Sequence, residues 1–172
     1  MTGKVFMNSL MNGQADIIQI FSDMLNTLKI DYCLIGGLAV NAYAEPVVSL
    51  DMDLVVIADS LDTIIQAAKK DYAIKEFPHS LNLKSPLSDL RIQIQTDKRY
   101  QAFIANAVVK NVMGYNMKVA ALEDVLQGKV WAYSDEQHRK SKRQKDLADI
   151  FRLTETYPHL KELLPESLKA IV

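Results

Sequence analysis

The chain has 172 residues, 49% of them hydrophobic and 24% charged, which suits one soluble domain with a sizeable core. Its formal net charge is −1, so the molecule as a whole offers a nucleic acid no electrostatic attraction, and any such role must fall to a local cluster. Cys33 is the only cysteine, which excludes an internal disulfide, and no run approaches the ~18 apolar residues of a membrane span. A cytoplasmic location with no membrane partner is the expectation.

In chain order, residues 1–13 read as loosely structured, with Asn8, Asn12 and Gly13 as breakers. Ile17, Ile18, Phe21, Leu25 and Leu28 recur at helical spacing and predict a helix over 14–28. A buried strand over 30–35, a short helix over 38–43 and a second strand over 50–57 follow. Asp59 or Ser60 can cap a helix reaching about Lys70. Residues 72–77 and 81–83 suggest short strands. Leu90, Ile92 and Ile94 alternate with Arg91, Gln93 and Gln95, as in a half-buried strand. A helix over 98–107 and a hairpin turning at Gly114-Tyr115-Asn116 come next. From Leu122 onward the pattern is helical to the end. The expected fold is α+β, with a short mixed sheet of about four to six strands and helices on one face. Residues 1–120 would form the core and 121–172 a helical section packed on it.

The chemistry concentrates between Ile35 and Val56. Gly36-Gly37 leaves a strand and opens a helix, so its backbone N–H groups can approach a phosphate. After thirteen intervening residues come Asp51 and Asp53, two apart on a strand and therefore projecting together. Paired carboxylates beside a phosphate cradle can hold Mg²⁺, or Mn²⁺, on a nucleoside triphosphate. Farther on, the run from His138 to Lys145 is a basic cluster that can steer a nucleic acid. Arg143 falls in the apolar stripe of Leu147, Ile150 and Phe151, so it should reach a carboxylate or a phosphate. Asp146 and Asp149 lie side by side on the same helix.

The Gly36-Gly37 pair with Asp51-x-Asp53 resembles the DNA polymerase β–like nucleotidyltransferase superfamily. Arg143-Gln144-Lys145-Asp146-Leu147-Ala148-Asp149 looks like the R-x-K-D-x-x-D helix of AbiEii-type toxin nucleotidyltransferases, and Leu122 to Lys129 resembles the lysine-bearing helix of that branch. The resemblance implies transfer of a nucleotide from an NTP to a hydroxyl acceptor, with RNA such as a tRNA end as the acceptor the branch suggests, in a toxin paired with an antitoxin protein. It implies metal ligation by Asp51 and Asp53, charge neutralisation by Lys129 and Lys145, acceptor activation by Asp146, and nucleotide binding by Gly36, Gly37, Arg143 and Asp149. Family enzymes carry a third carboxylate on a later strand. Here Gln93 stands in the aligned position, and Asp89, on the same strand face, is the alternative ligand. The substitution leaves open a non-catalytic nucleotide-binding or interaction module on the same scaffold. A small-molecule nucleotidyltransferase, like the aminoglycoside or lincosamide modifiers, is a third option.

Overall fold

The computed structural model describes residues 1–172. Seven strands form one mixed sheet: β1 (Tyr32–Ile35), β2 (Asp51–Val56), β3 (Ala73–Phe77), β4 (Ser80–Lys84), β5 (Arg91–Gln95), β6 (Val108–Val112) and β7 (Tyr115–Val119). Their spatial order is β3-β4-β5-β2-β1-β7-β6. This is more than the four to six strands expected, because the exposed edge strands β3 and β6 are also paired. The β6–β7 turn sits at Met113-Gly114, one position before the predicted site, and both residues have positive φ. That handedness matches the twist of a two-residue hairpin.

The helices are α1 (Gly3–Leu10), α2 (Ile17–Thr27), α3 (Gly36–Val40), α4 (Leu61–Ala68), α5 (Gln101–Ala105), α6 (Leu122–Ser134), α7 (Lys140–Thr156) and α8 (Glu166–Lys169). The first corrects the sequence reading. Thr2 caps α1 by accepting from the Val5 N–H at 3.3 Å, and Met7 and Met11, four apart, are buried on one face. The expected cap of α4 is not made: neither Asp59 nor Ser60 bonds its first turn, and the chain enters through a 3₁₀ turn at Ala58–Ser60.

Alternation along the strands divides the sheet into two unlike faces. Met52 and Leu54 of β2 pair with Ile92 and Ile94 of β5, which pair in turn with Leu83 and Leu81 of β4, and all six are buried. The opposite face of the same strands carries Asp51, Asp53, Arg91, Gln93 and Gln95. Val125, Leu126, Ile150, Leu153, Leu160 and Leu168 join the same continuous apolar cluster as Met52 and Leu54. α6 and α7 pack on each other and on α3, and their Lys129, Lys142 and Asp146 lie across from the polar face.

Candidate active site

β1 and β2 run antiparallel with Ile35 opposite Asp53, so the chain leaves β1 beside that carboxylate. The next residue, Gly36, has φ +73°, and a Cβ there would run into the carboxylate of Asp53. Two constraints therefore demand glycine at this position: left-handed backbone and close approach of a side chain. Gly37 faces no such limit, since a Cβ would lie 3.4 Å from the Ser49 hydroxyl, and it does not line the cavity.

β2 and β5 run parallel, with Asp51 beside Arg91 and Asp53 beside Gln93. Asp51, Asp53, Gln93, Gln95 and Gly36 form one wall of a cavity of about 210 Å³. Lys129 of α6, Asp146 and Lys142 of α7, and His138 close it from the other side. Glycine bend, paired carboxylates and late helices, distant in sequence, meet around one space. Burial raises the Asp53 carboxyl to about 6, and the neighbouring charge of Asp51 adds to the rise. Asp51 is more open to water and its Oδ1 accepts from Arg91 Nε at 2.6 Å.

Behind the cavity lies a buried charge cluster. Lys129 Nζ donates to Asp146 Oδ1 at 2.8 Å and pairs with Asp149 Oδ2 at 2.7 Å. Burial alone would lower the Lys129 pKa, but the two carboxylates outweigh it and the net shift is upward. Asp149 Oδ1 also accepts from Arg152 Nη1 at 2.7 Å. Arg152 Nη2 continues to the Asn41 side chain at 2.8 Å and to the Glu45 carbonyl. Asn41 in turn holds Val47 through both its amide atoms. An unbroken polar chain thus runs from the cavity to the loop that leads into β2. Asp146 Oδ2 is the end of that chain: it is buried and has no hydrogen-bond partner in the protein.

Several expected residues fall elsewhere. Arg143 reaches neither carboxylate nor cavity; its Nε donates to the Tyr133 carbonyl at 2.7 Å and its guanidinium lies 5.2 Å from the Tyr133 ring centre. It ties α7 to α6. Lys145 lines not the cavity but an adjoining groove of about 620 Å³. Asp149 is enclosed by Lys129 and Arg152 rather than presented to a ligand. Asp89 precedes β5, accepts from Asn12 Nδ2 at 2.6 Å and is not part of the cavity wall. Gln93, beside Asp53, does line the cavity.

Sequence reasoning missed Arg91, Gln95, Tyr100, Asn41 and Arg152 as members of this region, and it had His138 and Lys142 only as part of the basic run. Arg91 was visible as a polar strand residue, but only the β2–β5 register brings it to Asp51. Arg152 carried a usable signal, lying one turn after Asp149.

A divalent cation fits the donor set present. Asp51 and Asp53 offer hard oxygens on one strand face, and positive charge between them would relieve the repulsion that adds to the burial-driven rise of Asp53. Nowhere does the chain gather three or more His, Cys, Asp or Glu side chains in a metal-binding group, so the remaining ligands would come from substrate phosphates and water.

No family model matches the chain, and no curated protein matches its sequence. Solved structures do. ANT(2″)-Ia in complex with adenylyl-2″-tobramycin superposes with a TM-score of 0.60 at 14% identity, over 90% of this chain and 92% of that one. The lincomycin-bound lincosamide antibiotic adenylyltransferase LnuA gives 0.59 at 15% identity, over 83% and 99%. An antigenic nucleotidyltransferase-like protein from Paracoccidioides brasiliensis gives 0.56 at 18% identity, over 87% and 75%. The chain has the nucleotidyltransferase fold.

Proposed function

We propose that the protein transfers a nucleotide from an NTP to a hydroxyl acceptor, with Mg²⁺ or Mn²⁺ held by Asp51 and Asp53. The observation that carries this reading is the meeting of Gly36, Asp51, Asp53, Lys129 and Asp146 around one cavity. The bound cation would supply positive charge against the phosphate oxygens as the α-phosphorus is attacked. Gly36, bare of a side chain, lets the Asp53 carboxylate sit against the bend at the cavity wall. Lys142, at the cavity wall, offsets triphosphate charge. Asp146 Oδ2, lacking any partner, takes the proton of the acceptor hydroxyl as its oxygen bonds to phosphorus and pyrophosphate leaves. Lys129 acts through Asp146, fixing the other carboxylate oxygen at 2.8 Å, and does not meet phosphate as a free cation.

The acceptor reading that charge favours is RNA, as in the AbiEii-type branch. The groove beside the cavity is lined by Lys75, Lys84, Arg91, Arg139, Lys142 and Lys145 against the single carboxylate of Asp51. Such a surface on a chain of net charge −1 suits a phosphodiester backbone. An RNA-modifying toxin would arrest growth when expressed without its antitoxin.

The test is incubation of the protein with each α-labelled NTP, Mg²⁺ or Mn²⁺, and total RNA, protein or small hydroxyl compounds. Label is expected on RNA, and Asp53→Ala should abolish its transfer while leaving the fold intact. Undiminished transfer by that variant would refute the metal assignment. Label on a small acceptor alone would place the protein with the antibiotic modifiers. The second reading, an NTP-binding module without transfer, draws on Gln93 beside Asp53 and on the Arg91–Asp51 pair. It requires saturable NTP binding with no labelled product.

A further inference from the structure

The cavity and the groove beside it are bounded in common by three residues, Asp51, Gln93 and Lys142. A donor nucleotide in the first space and an acceptor in the second would meet at this boundary. Of the three, only Lys142 is cationic. It stands in the first turn of α7, exposed to solvent. Burial dominates the upward shift of Asp53 and Asp51 adds to it, while Lys129 and then Lys142 oppose it, so the Lys142 ammonium acts across the space on the carboxylate wall. A lysine ammonium rides on a flexible four-carbon stem, so its aim must come from a partner.

That partner is His138, whose Nε2 lies 3.3 Å from Lys142 Nζ. The other ring nitrogen, Nδ1, lies 3.0 Å from the Ala132 carbonyl in the last turn of α6. A carbonyl only accepts, so Nδ1 carries the hydrogen. An ammonium only donates, so Nε2 offers it a lone pair. One form of the ring meets both contacts at once: neutral, with its hydrogen on Nδ1. Asp135 Oδ2 lies 3.5 Å from the same Nε2 and can only accept. A ring protonated on both nitrogens would bond Asp135 and repel Lys142. The backbone between the helices is tied as well, since the His138 N–H donates to the Asp135 carbonyl at 3.1 Å. His138 thus forms a strut from the end of α6 to the ammonium on α7.

We propose that His138 is a positioning residue for nucleotidyl transfer: its Nδ1–H form, set by the Ala132 carbonyl, holds the Lys142 ammonium at the boundary where donor phosphates and acceptor hydroxyl meet. The inference rests on the nucleotidyl-transfer reading and adds to it how the cation at the reacting centre is aimed. A cation fixed in advance needs no reorganisation as charge builds on the phosphate oxygens, so its placement counts most in the transition state. A cation left to wander still attracts a triphosphate. Loss of His138 therefore acts on kcat more than on the KM for NTP.

The experiment has two arms. Nitrogen NMR of the unaltered full chain at about pH 8, above the ordinary range for imidazole, reads which ring nitrogen of His138 carries the hydrogen. Nδ1 is expected, and a hydrogen on Nε2 would overturn the proposal without any variant having to fold. The second arm is the labelled-transfer assay on His138→Phe, Lys142→Met and the double variant. His138→Phe should lower kcat about tenfold and leave the KM for NTP within about twofold. Lys142→Met should lower kcat at least as far, and the double variant should be no slower than Lys142→Met alone, because His138 acts only through that lysine. Losses that add, or a His138→Phe effect confined to KM, would overturn the positioning role while leaving nucleotidyl transfer standing. No label transfer by the unaltered chain from any NTP would remove both.

Discussion

Two carboxylate pairs sit on opposite sides of one cavity, and they are treated in opposite ways. Asp146 and Asp149, on α7, are buried against two cations, Lys129 and Arg152. Asp51 and Asp53, on β2, face a space with only Arg91 in direct contact, and that on Asp51 alone. The first pair is neutralised by the protein itself. The second has no cation bonded to Asp53, and burial, with the neighbouring charge of Asp51 adding to it, raises that carboxyl to about 6. Identical residue types are braced by cations on one side and left open to the cavity on the other. The difference lies in whether the fold supplies the counter-charge.

Removing the internal counter-charge should produce the largest change. Lys129→Met would leave Asp146 and Asp149 buried with Arg152 as their only cation, touching Asp149 alone. Breaking a buried pair from one side costs about 3–5 kcal/mol. For a chain of this size each kcal/mol lowers Tm by about 2–4 °C, so a drop on the order of 10 °C is expected in thermal unfolding. A drop within a degree would mean that the cluster is not the brace described.

On the other wall the sign reverses. The Asp53 carboxyl rises from 3.8 unfolded to about 6 folded. Its stabilising contribution is therefore complete below about pH 4 and is lost as pH climbs through 6. Asp53→Asn should match the unaltered protein in stability near pH 4 and exceed it at pH 8, by about 1–2 kcal/mol after allowing for partial exposure. Magnesium should close that gap at pH 8 by stabilising only the aspartate form. Urea titrations of both proteins at the two pH values, with and without the ion, measure each effect. An asparagine variant less stable at pH 8 would show that the carboxylate is held by the protein rather than left open.

The two walls were also unequally legible in the sequence. The Gly36 bend and the Asp51–Asp53 pair are local: period-two alternation puts both carboxylates on one face, and the structure does so. The brace depends on which face of α7 meets α6, and there helical spacing within one element was insufficient. It put Arg143 on the inner stripe, and the structure does place it between α6 and α7. Its partner, however, is the Tyr133 carbonyl rather than an anion. It left Lys129 as a free cation because nothing in its own helix announces Asp146 and Asp149, seventeen and twenty residues on. The fold class followed from alternating strand and helix patterns. α1 escaped because its apolar signal is short and lies among Asn8, Asn12 and Gly13.

The smallest expected change separates the two walls most finely. Arg91 and Asp51 pair at 2.6 Å, but both side chains are exposed, at 66% and 46%. A pair of this kind contributes about 0–1 kcal/mol, so Arg91→Ala should shift Tm by no more than a few degrees. Its effect on the site should be easier to see. With the guanidinium gone, Asp51 Oδ1 has no competitor for a cation, and Mg²⁺ affinity in the absence of nucleotide should rise about two- to fivefold by calorimetric titration, consistent with a pair worth at most about 1 kcal/mol. The lost cation also lines the basic groove, so RNA binding by the same variant should weaken and its salt dependence flatten by about one phosphate contact. Metal affinity that falls in Arg91→Ala would mean that the arginine organises Asp51 for the ion, and the open wall would then be partly braced after all.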